Sequence, residues 1–284
     1  MTHPNSPSAA YVHGTALSER ARLDDLNALT NRSFIDYLNL FATATVADLG
    51  CGPGTLEAEI GARYPGVRLT GIERSESYCA TARQRTAHLP DVEIRQGDAS
   101  ATGLPEDTFD VTFCRYLLEH VAFAADAARE MVRITKPGGR IIAQENDLLY
   151  VVYHPEIPGH AEVMDRYCAL QAQLGGDPFI GRKLFSLFDR PEVERIDLDI
   201  SAENYSARRP AEYRAWLSNS LRILQGARPA LLERRLLGEK TIDTVLVSMQ
   251  ARIERPEGVA LFHWDRVTAW KKGNPPAESD DQCR

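Results

Sequence analysis

The sequence has no apolar run approaching the roughly 20 residues needed to cross a bilayer. Its mean hydropathy of -0.33 also argues against a membrane-embedded chain. The opening residues, MTHPNSPSAA, hold neither a basic n-region nor an apolar h-region, so no signal peptide is expected. Basic residues are outnumbered: 33 Lys and Arg face 40 Asp and Glu, a formal charge of -7. That balance removes the electrostatic footprint that nucleic-acid binding usually needs, and no nucleic-acid partner is expected. Cysteine is scarce. The five present (Cys51, Cys79, Cys114, Cys168, Cys283) are odd in number, scattered and without a C-x-x-C pair. They fit reduced thiols of a cytoplasmic protein, not a disulfide frame or a zinc site. No internal repeat stands out.

What is present is an alternation. The 284 residues, 43% of them hydrophobic, suffice for one large domain or a core with an elaborated cap. Strand-like segments fall at 45–49, 67–72, 92–96, 109–114 and 140–144. Helix-like segments fall between them at 55–64, 75–88 and 122–135, the last closed by the breakers Lys136-Pro-Gly-Gly139. Strands alternating with helices imply an α/β fold: a doubly wound, mostly parallel sheet with helices on both faces and all carboxyl ends on one edge. Strand-like stretches at 193–200 and 261–270 bring the expected count to seven. Outside the core, 17–40 reads as two helices over the ligand edge and 158–174 as an inserted helix. Segment 210–253 is mostly helical, with a break expected near Gly226 and Pro229.

Residues 46–55 read VADLGCGPGT. A short apolar run ends in Asp48, and Gly50, Gly52 and Gly54 follow at alternate positions. Glycine lets backbone approach a ligand where a Cβ would collide, and a helix opening there offers unpaired N–H groups. A nucleotide-like ligand at the end of the first strand is therefore expected. In G-x-G-x-x-G of the dinucleotide fold, a third glycine eases helix packing; here Thr55 holds that slot. Glu73, ending the second strand, suits a ribose diol in either case. Asp98, after the third strand, is placed to accept from an exocyclic adenine amine.

Together, these segments over residues 44–145 resemble the class I, Rossmann-like S-adenosylmethionine-dependent methyltransferases, in particular the small-molecule group. The resemblance implies S-adenosylmethionine as cofactor and S-adenosylhomocysteine as product. It implies that Asp48, Gly50, Cys51, Gly52 and Gly54 hold the methionine part, that Glu73 binds the ribose hydroxyls with Arg74 beside the adenine, and that Asp98 and Ala99 meet the adenine edge. Arg115 and Tyr116 match residues near the cofactor's amino end, while Tyr11 and Arg22 are expected to close over its carboxylate. The implied layout is a disordered arm (1–10), a helical lid (11–40), a cofactor-binding core (41–200) with a helical insert at about 150–190, a helical cap (201–259), a last strand (260–271) and a disordered tail (272–284).

Methyl transfer from a sulfonium needs alignment of the acceptor and exclusion of water more than a dedicated catalytic group. His120, just beyond the fourth strand, is the candidate general base for an acceptor that carries a proton; its other reading is a helix-capping or packing residue. Cys51 reads as a small packing residue, because no His partner is placed beside it. Arg74 is either an adenine neighbour or a solvated side chain. Asn146 and Asp147, after the fifth strand, are expected to face the acceptor or to form a turn. Tyr150, Tyr153 and Trp216, with Phe179, Phe185 and Tyr213, are candidates for an apolar acceptor pocket. The cap arginines (Arg208, Arg209, Arg214, Arg222, Arg228, Arg234, Arg235) either recognise an anionic group on the acceptor or face solvent. His154, His160 and Asp147 match no common ligand spacing, and no metal is expected. Asn274-Pro-Pro-Ala277 lacks the aromatic residue and the position of the motif it superficially matches in nucleic-acid adenine methyltransferases. The expected partner is a small-molecule acceptor, with neither nucleic acid nor membrane. The alternatives left open are a cofactor-binding sensor or structural subunit, and an NAD-dependent oxidoreductase.

Overall fold

Strands whose residues are apolar on both faces take the middle of the sheet. β1 (Thr45–Leu49) and β4 (Phe109–Arg115) are buried along nearly their whole length, as expected of parallel strands covered by helices on each side. The computed structural model describes residues 17–274. The expected arm at 1–10, Tyr11 and the tail from residue 275 lie outside the described residues.

β1 pairs in parallel with β2 (Arg68–Glu73) and with β4; β2 pairs with β3 (Val92–Gln96), and β4 with β5 (Thr135–Asn146). Helices α2 (Thr55–Arg63), α3 (Glu76–Thr86) and α4 (Ala124–Ile134) make the crossovers. Gly54 caps α2 at a left-handed φ of 77°, and a Cβ there would lie 2.7 Å from Ala82 of α3. Both the backbone angle and the helix contact therefore require glycine. Three further strands, β6 (Val152–His154), β7 (Val193–Ser206) and β8 (Val259–Lys271), extend the sheet antiparallel through β8. Among the described residues the sheet has eight strands, one more than expected, in the order β3-β2-β1-β4-β5-β8-β6, with β7 on β8. The extra strand is β6, three residues that lacked the length for a periodic signal. β7 also runs to Ser206, so a cap boundary at 201 would cut a strand. Lys272 still donates its N–H to the Glu192 carbonyl, which places the first tail residues against the sheet.

The flanking helices depart from expectation in two places. α1 (Leu17–Leu38) is one helix, not two. At 22 residues it is about 33 Å long, and its halves serve different cores: Phe34, Ile35 and Leu38 pack on the sheet, while Leu26 reaches the cap. α7 (Pro210–Glu233) runs through Gly226 and Pro229 without ending. Its stripe of Tyr213, Trp216, Leu217, Leu221, Leu224, Ala227 and Leu231 is buried against α8 (Glu239–Glu254), α5 (His160–Gln173) and α1. Burial of that stripe outweighs the hydrogen bond lost at Pro229. The chain instead breaks at Arg234–Gly238. A short helix α6 (Leu184–Phe188) closes the opposite sheet face.

Candidate active site

Parallel pairing puts the carboxyl ends of β1 to β5 on one edge, at the point where strand order reverses between β1 and β4. A cavity of about 390 Å³ opens there and continues beneath α1, α5 and α7. Of the sequence-predicted residues, Arg22, Asp48, Gly50, Cys51, Gly52, Glu73, Arg74, Asp98, Ala99, Arg115, Tyr116, His120, Asn146, Tyr153 and Trp216 line it. Residues up to 194 apart in sequence meet around one space.

The floor is a backbone cradle. Gly50 and Gly52 take φ values of 88° and 56°, which turn the loop at the end of β1. Glu73 pins that loop: its carboxylate accepts from the Gly52 N–H at 3.1 Å and from the Ser75 N–H at 2.7 Å. Asp98 accepts from the Ser100 N–H and hydroxyl through Oδ1, which leaves Oδ2 toward the exposed rim. Arg74 is exposed at the same rim. Below the loop, Asp48 and Glu57 are both buried. Burial first, and then Glu57, push the Asp48 carboxyl well above the usual range. Cys51 packs against Gly71, and burial, with Glu57 next, raises its thiol well above the ordinary value. It is a protonated packing residue, not a nucleophile.

The end of β4 carries strain. Tyr116 has a φ of 57°, unusual for a side chain with a Cβ. Its N–H bonds to the Gln144 carbonyl at 3.0 Å, its hydroxyl accepts from Gln144 Nε2 at 2.9 Å, and its ring meets Trp264 at 4.3 Å. Arg115 donates through Nη2 to Asn27 and Asn31 of α1, at 2.5 Å each, and lies over the Phe34 ring. Its Nη1 is buried without a partner. Arg22, by contrast, is committed: it forks onto Glu19 at 2.6 and 2.8 Å and donates to Asn219 of α7 at 2.7 Å. These bonds make Arg22 a strap between α1 and the cap, and it also lines the cavity.

His120 and Glu119 sit where the cradle meets the cap. The His120 Nε2 lies 3.2 Å from the Glu119 carboxylate, which also accepts from Asn146 Nδ2. Glu145 lies behind them and accepts from the N–H groups of Leu117, Leu118 and Glu119, at 2.9–3.3 Å. Burial, reinforced by Glu119, lifts its pKa to about 8.

Three candidates fall outside the cavity wall. Gly54 serves the turn and the α2–α3 contact. Asp147 is fully buried but turns away, capping the Leu149 N–H at 3.2 Å and forking with Arg182. Tyr150 is half exposed and stacks near His263 at 4.3 Å. Among the pocket aromatics, Phe185 is exposed, Phe179 sits under Arg182, and Tyr213 is a core residue whose hydroxyl donates to the Glu257 carbonyl at 2.7 Å. The cap arginines face solvent or surface carboxylates, as in Arg222–Asp25, Arg228–Asp243 and Arg209–Glu212. None lines the cavity.

The cavity also holds residues that the sequence did not assign to it. His160, Met164 and Tyr167 come from one face of α5, Asn219, Ser220 and Ile223 from α7, and Phe262 and Trp264 from one face of β8. Their i, i+4, i+7 and i, i+2 spacings were visible as amphipathic stripes. That the stripes border an open chamber was not. His160 is buried against Tyr153, at 4.9 Å, and burial lowers its pKa to about 4, so the imidazole is neutral. Among the described residues no group of three or more His, Cys, Asp or Glu is placed to hold a metal ion.

The cofactor implied by the strand-end residues has a concrete set of partners here. Asp48 Oδ1, Tyr78 Oη and Arg115 Nη1 are buried, lack hydrogen-bond partners and belong to residues that line the floor. Such orphaned groups normally have a partner, and a ligand with amino, carboxylate and hydroxyl groups supplies partners for them.

Comparisons with known proteins agree with this geometry. Residues 47–143 match the family described as methyltransferase domain. The chain is 38% identical over 107 residues to the 2-phytyl-1,4-naphtoquinone methyltransferase of Thermosynechococcus vestitus, covering 37% of this chain and 48% of that one. It is 30% identical over 179 residues to the trans-aconitate 2-methyltransferase of Methylobacterium nodulans, covering 63% and 57%. Across the first curated relatives the chain spans 33–57% of their length. The crystal structure of the YcgJ protein from Bacillus subtilis superposes with a TM-score of 0.57 at 17% identity, covering 86% of this chain and 98% of that one, which shows the shared fold. Residues 47–143 of this chain thus match a methyltransferase domain, set in a sheet that shares the fold of the YcgJ structure.

Proposed function

We propose that the protein is an enzyme that transfers a methyl group from S-adenosylmethionine to a small-molecule acceptor in the cytoplasm. The observation that carries this is the single cavity joining the Gly50–Gly52 cradle to a chamber roofed by α1, α5 and α7. Glu73 holds the ribose hydroxyls, Asp98 and Ala99 the adenine edge, and Arg115 Nη1 the carboxylate. When bound, the cofactor supplies an electrophilic methyl on a sulfonium, open to in-line displacement by an O, N or C atom. The chain's own residues orient the acceptor, exclude water behind the Arg22–Asn219 strap, and accept a proton at His120 Nε2 with Glu119 beside it. Two relatives named for small-molecule acceptors, the naphthoquinone and trans-aconitate enzymes, support an acceptor of that size. The acidic balance disfavours nucleic acid, and no helix among the described residues is long and apolar enough to cross a membrane. The four described cysteines are unbonded, in keeping with a reducing compartment.

Calorimetry with S-adenosylhomocysteine tests the reading. Binding is expected for the wild-type protein; none, or preferential binding of NAD, overturns it. His120→Gln is expected to lower methyl transfer by about 100-fold, the scale of a lost general base, and unchanged transfer would remove His120 from that role.

A further inference from the structure

The two ends of the cavity differ in charge. The strand-end floor presents Asp48, Glu73, Asp98 and Arg115, whereas the far wall is made by Tyr153, Met164, Tyr167, Trp216, Ile223 and Trp264. Among the described residues, the arginines near the far wall are engaged elsewhere. Arg22 is neutralised by the Glu19 fork, and Arg222 and Arg228 lie outside on Asp25 and Asp243. Arg252, behind His160, donates to the Pro155 carbonyl at 2.6 Å. His160 itself is neutral. At the junction the wall carries the Glu119 carboxylate, beside His120. Two neutral polar atoms on the far wall have no partner: Tyr153 Oη and Trp216 Nε1, on side chains more than nine-tenths buried. The Tyr153 hydroxyl neighbours Ser220 and Trp216 without a hydrogen bond of good geometry to either.

We infer that the acceptor chamber takes an uncharged molecule with a flat, largely apolar ring body and a neutral oxygen at its far end, held by Tyr153 and Trp216, and that it rejects carboxylate and phosphate acceptors. This rests on the methyltransferase reading for the word acceptor. The physical content is independent of it. An anion placed there would be desolvated among aromatic rings and near the Glu119 carboxyl, with no unengaged arginine among the described wall residues, a cost that uncharged rings avoid. A flat ring body is favoured in turn, because stacked and edge-on contacts with Trp216, Trp264 and Tyr167 add to the apolar area it buries.

The test compares 2-naphthol, 2-naphthoate and propane-1,2,3-tricarboxylate by calorimetry at pH 7, with the protein saturated by S-adenosylhomocysteine. 2-Naphthol is expected to bind at least tenfold more tightly than 2-naphthoate, with no binding of the tricarboxylate. Equal or tighter binding of either anion overturns the inference. Ile223→Arg places a cation in the wall and is expected to reverse the order of the two naphthalenes. Tyr153→Phe, a gentler change, is expected to weaken 2-naphthol about tenfold by removing its hydrogen bond, and no weakening would deny Tyr153 that role. If S-adenosylhomocysteine does not bind, the methyltransferase reading falls, while the order of the naphthalenes on the bare protein still decides the charge preference of the chamber.

Discussion

The floor and the roof of the cavity recognise by different means. The floor works with backbone: a left-handed glycine loop, N–H groups pinned by Glu73, and short-range polar contacts within each strand-end segment. The roof works with shape: large side chains from α1, α5, α7 and β8, up to 238 residues apart, pack into one apolar cluster. A floor built from local hydrogen bonds tolerates little change in residue type but needs few long-range contacts. A roof built from packing tolerates many apolar sequences and depends on all of its elements being present together. The strap of Arg22 to Glu19 and Asn219 ties two roof helices, α1 and α7, together.

If the halves are separable in this way, mutations should separate them too. The largest effect is expected at Trp216→Ala, which empties a buried site and costs about 3–5 kcal/mol in denaturant unfolding. Affinity for S-adenosylhomocysteine should stay within a few-fold at temperatures where the variant is folded; a collapse of that affinity would show the floor to depend on the roof. Next is Glu73→Ala. Loss of hydrogen bonds to a charged acceptor is worth about 3 kcal/mol, or roughly 100-fold in cofactor affinity. Its unfolding midpoint should move far less than that of Trp216→Ala, and a comparable shift would make Glu73 chiefly structural.

A pH-dependent effect is expected at Glu145, on the seam between the halves. Because its folded pKa is raised to about 8 from the usual value near 4.5, the native state holds a proton that the unfolded chain releases across that window. Stability from this group is therefore full at low pH and declines as pH rises toward 8. Glu145→Gln lacks the titration. Its stability relative to wild type should climb between pH 5 and pH 8, as read from unfolding curves at each pH, and a constant difference would show that Glu145 is not protonated in the fold.

Much of the floor was legible in the sequence. The first and third strands end where the alternation of apolar residues predicted, and Asp48, Gly50, Gly52, Glu73, Asp98 and Arg115 all reach the cavity. Each sits at a strand end, and a parallel sheet brings strand ends together without further information. The roof was read less well. Gly226 and Pro229 suggested a break because local propensity was all that could be weighed, and the buried stripe of α7 overrides it. Asp147 and Tyr150 follow β5, yet a 3₁₀ turn at Leu148–Tyr150 aims them away from the cavity, and Arg182, 35 positions on, takes the Asp147 carboxylate. His160 was weighed as a metal ligand and instead lines the far wall as a neutral ring.

The sequence by itself determined the sheet, its edge and the residues of the cradle, because strand periodicity, turn glycines and strand-end acids act within a few residues of one another. The tertiary structure alone decided which helix faces enclose the chamber, which arginines are spent on carboxylates, and hence the charge of the acceptor's surroundings. Those depend on pairings such as Arg22 with Asn219 and Arg115 with Asn31, 197 and 84 residues apart. No local pattern encodes a partner at that distance; only the folded arrangement brings the two side chains within reach.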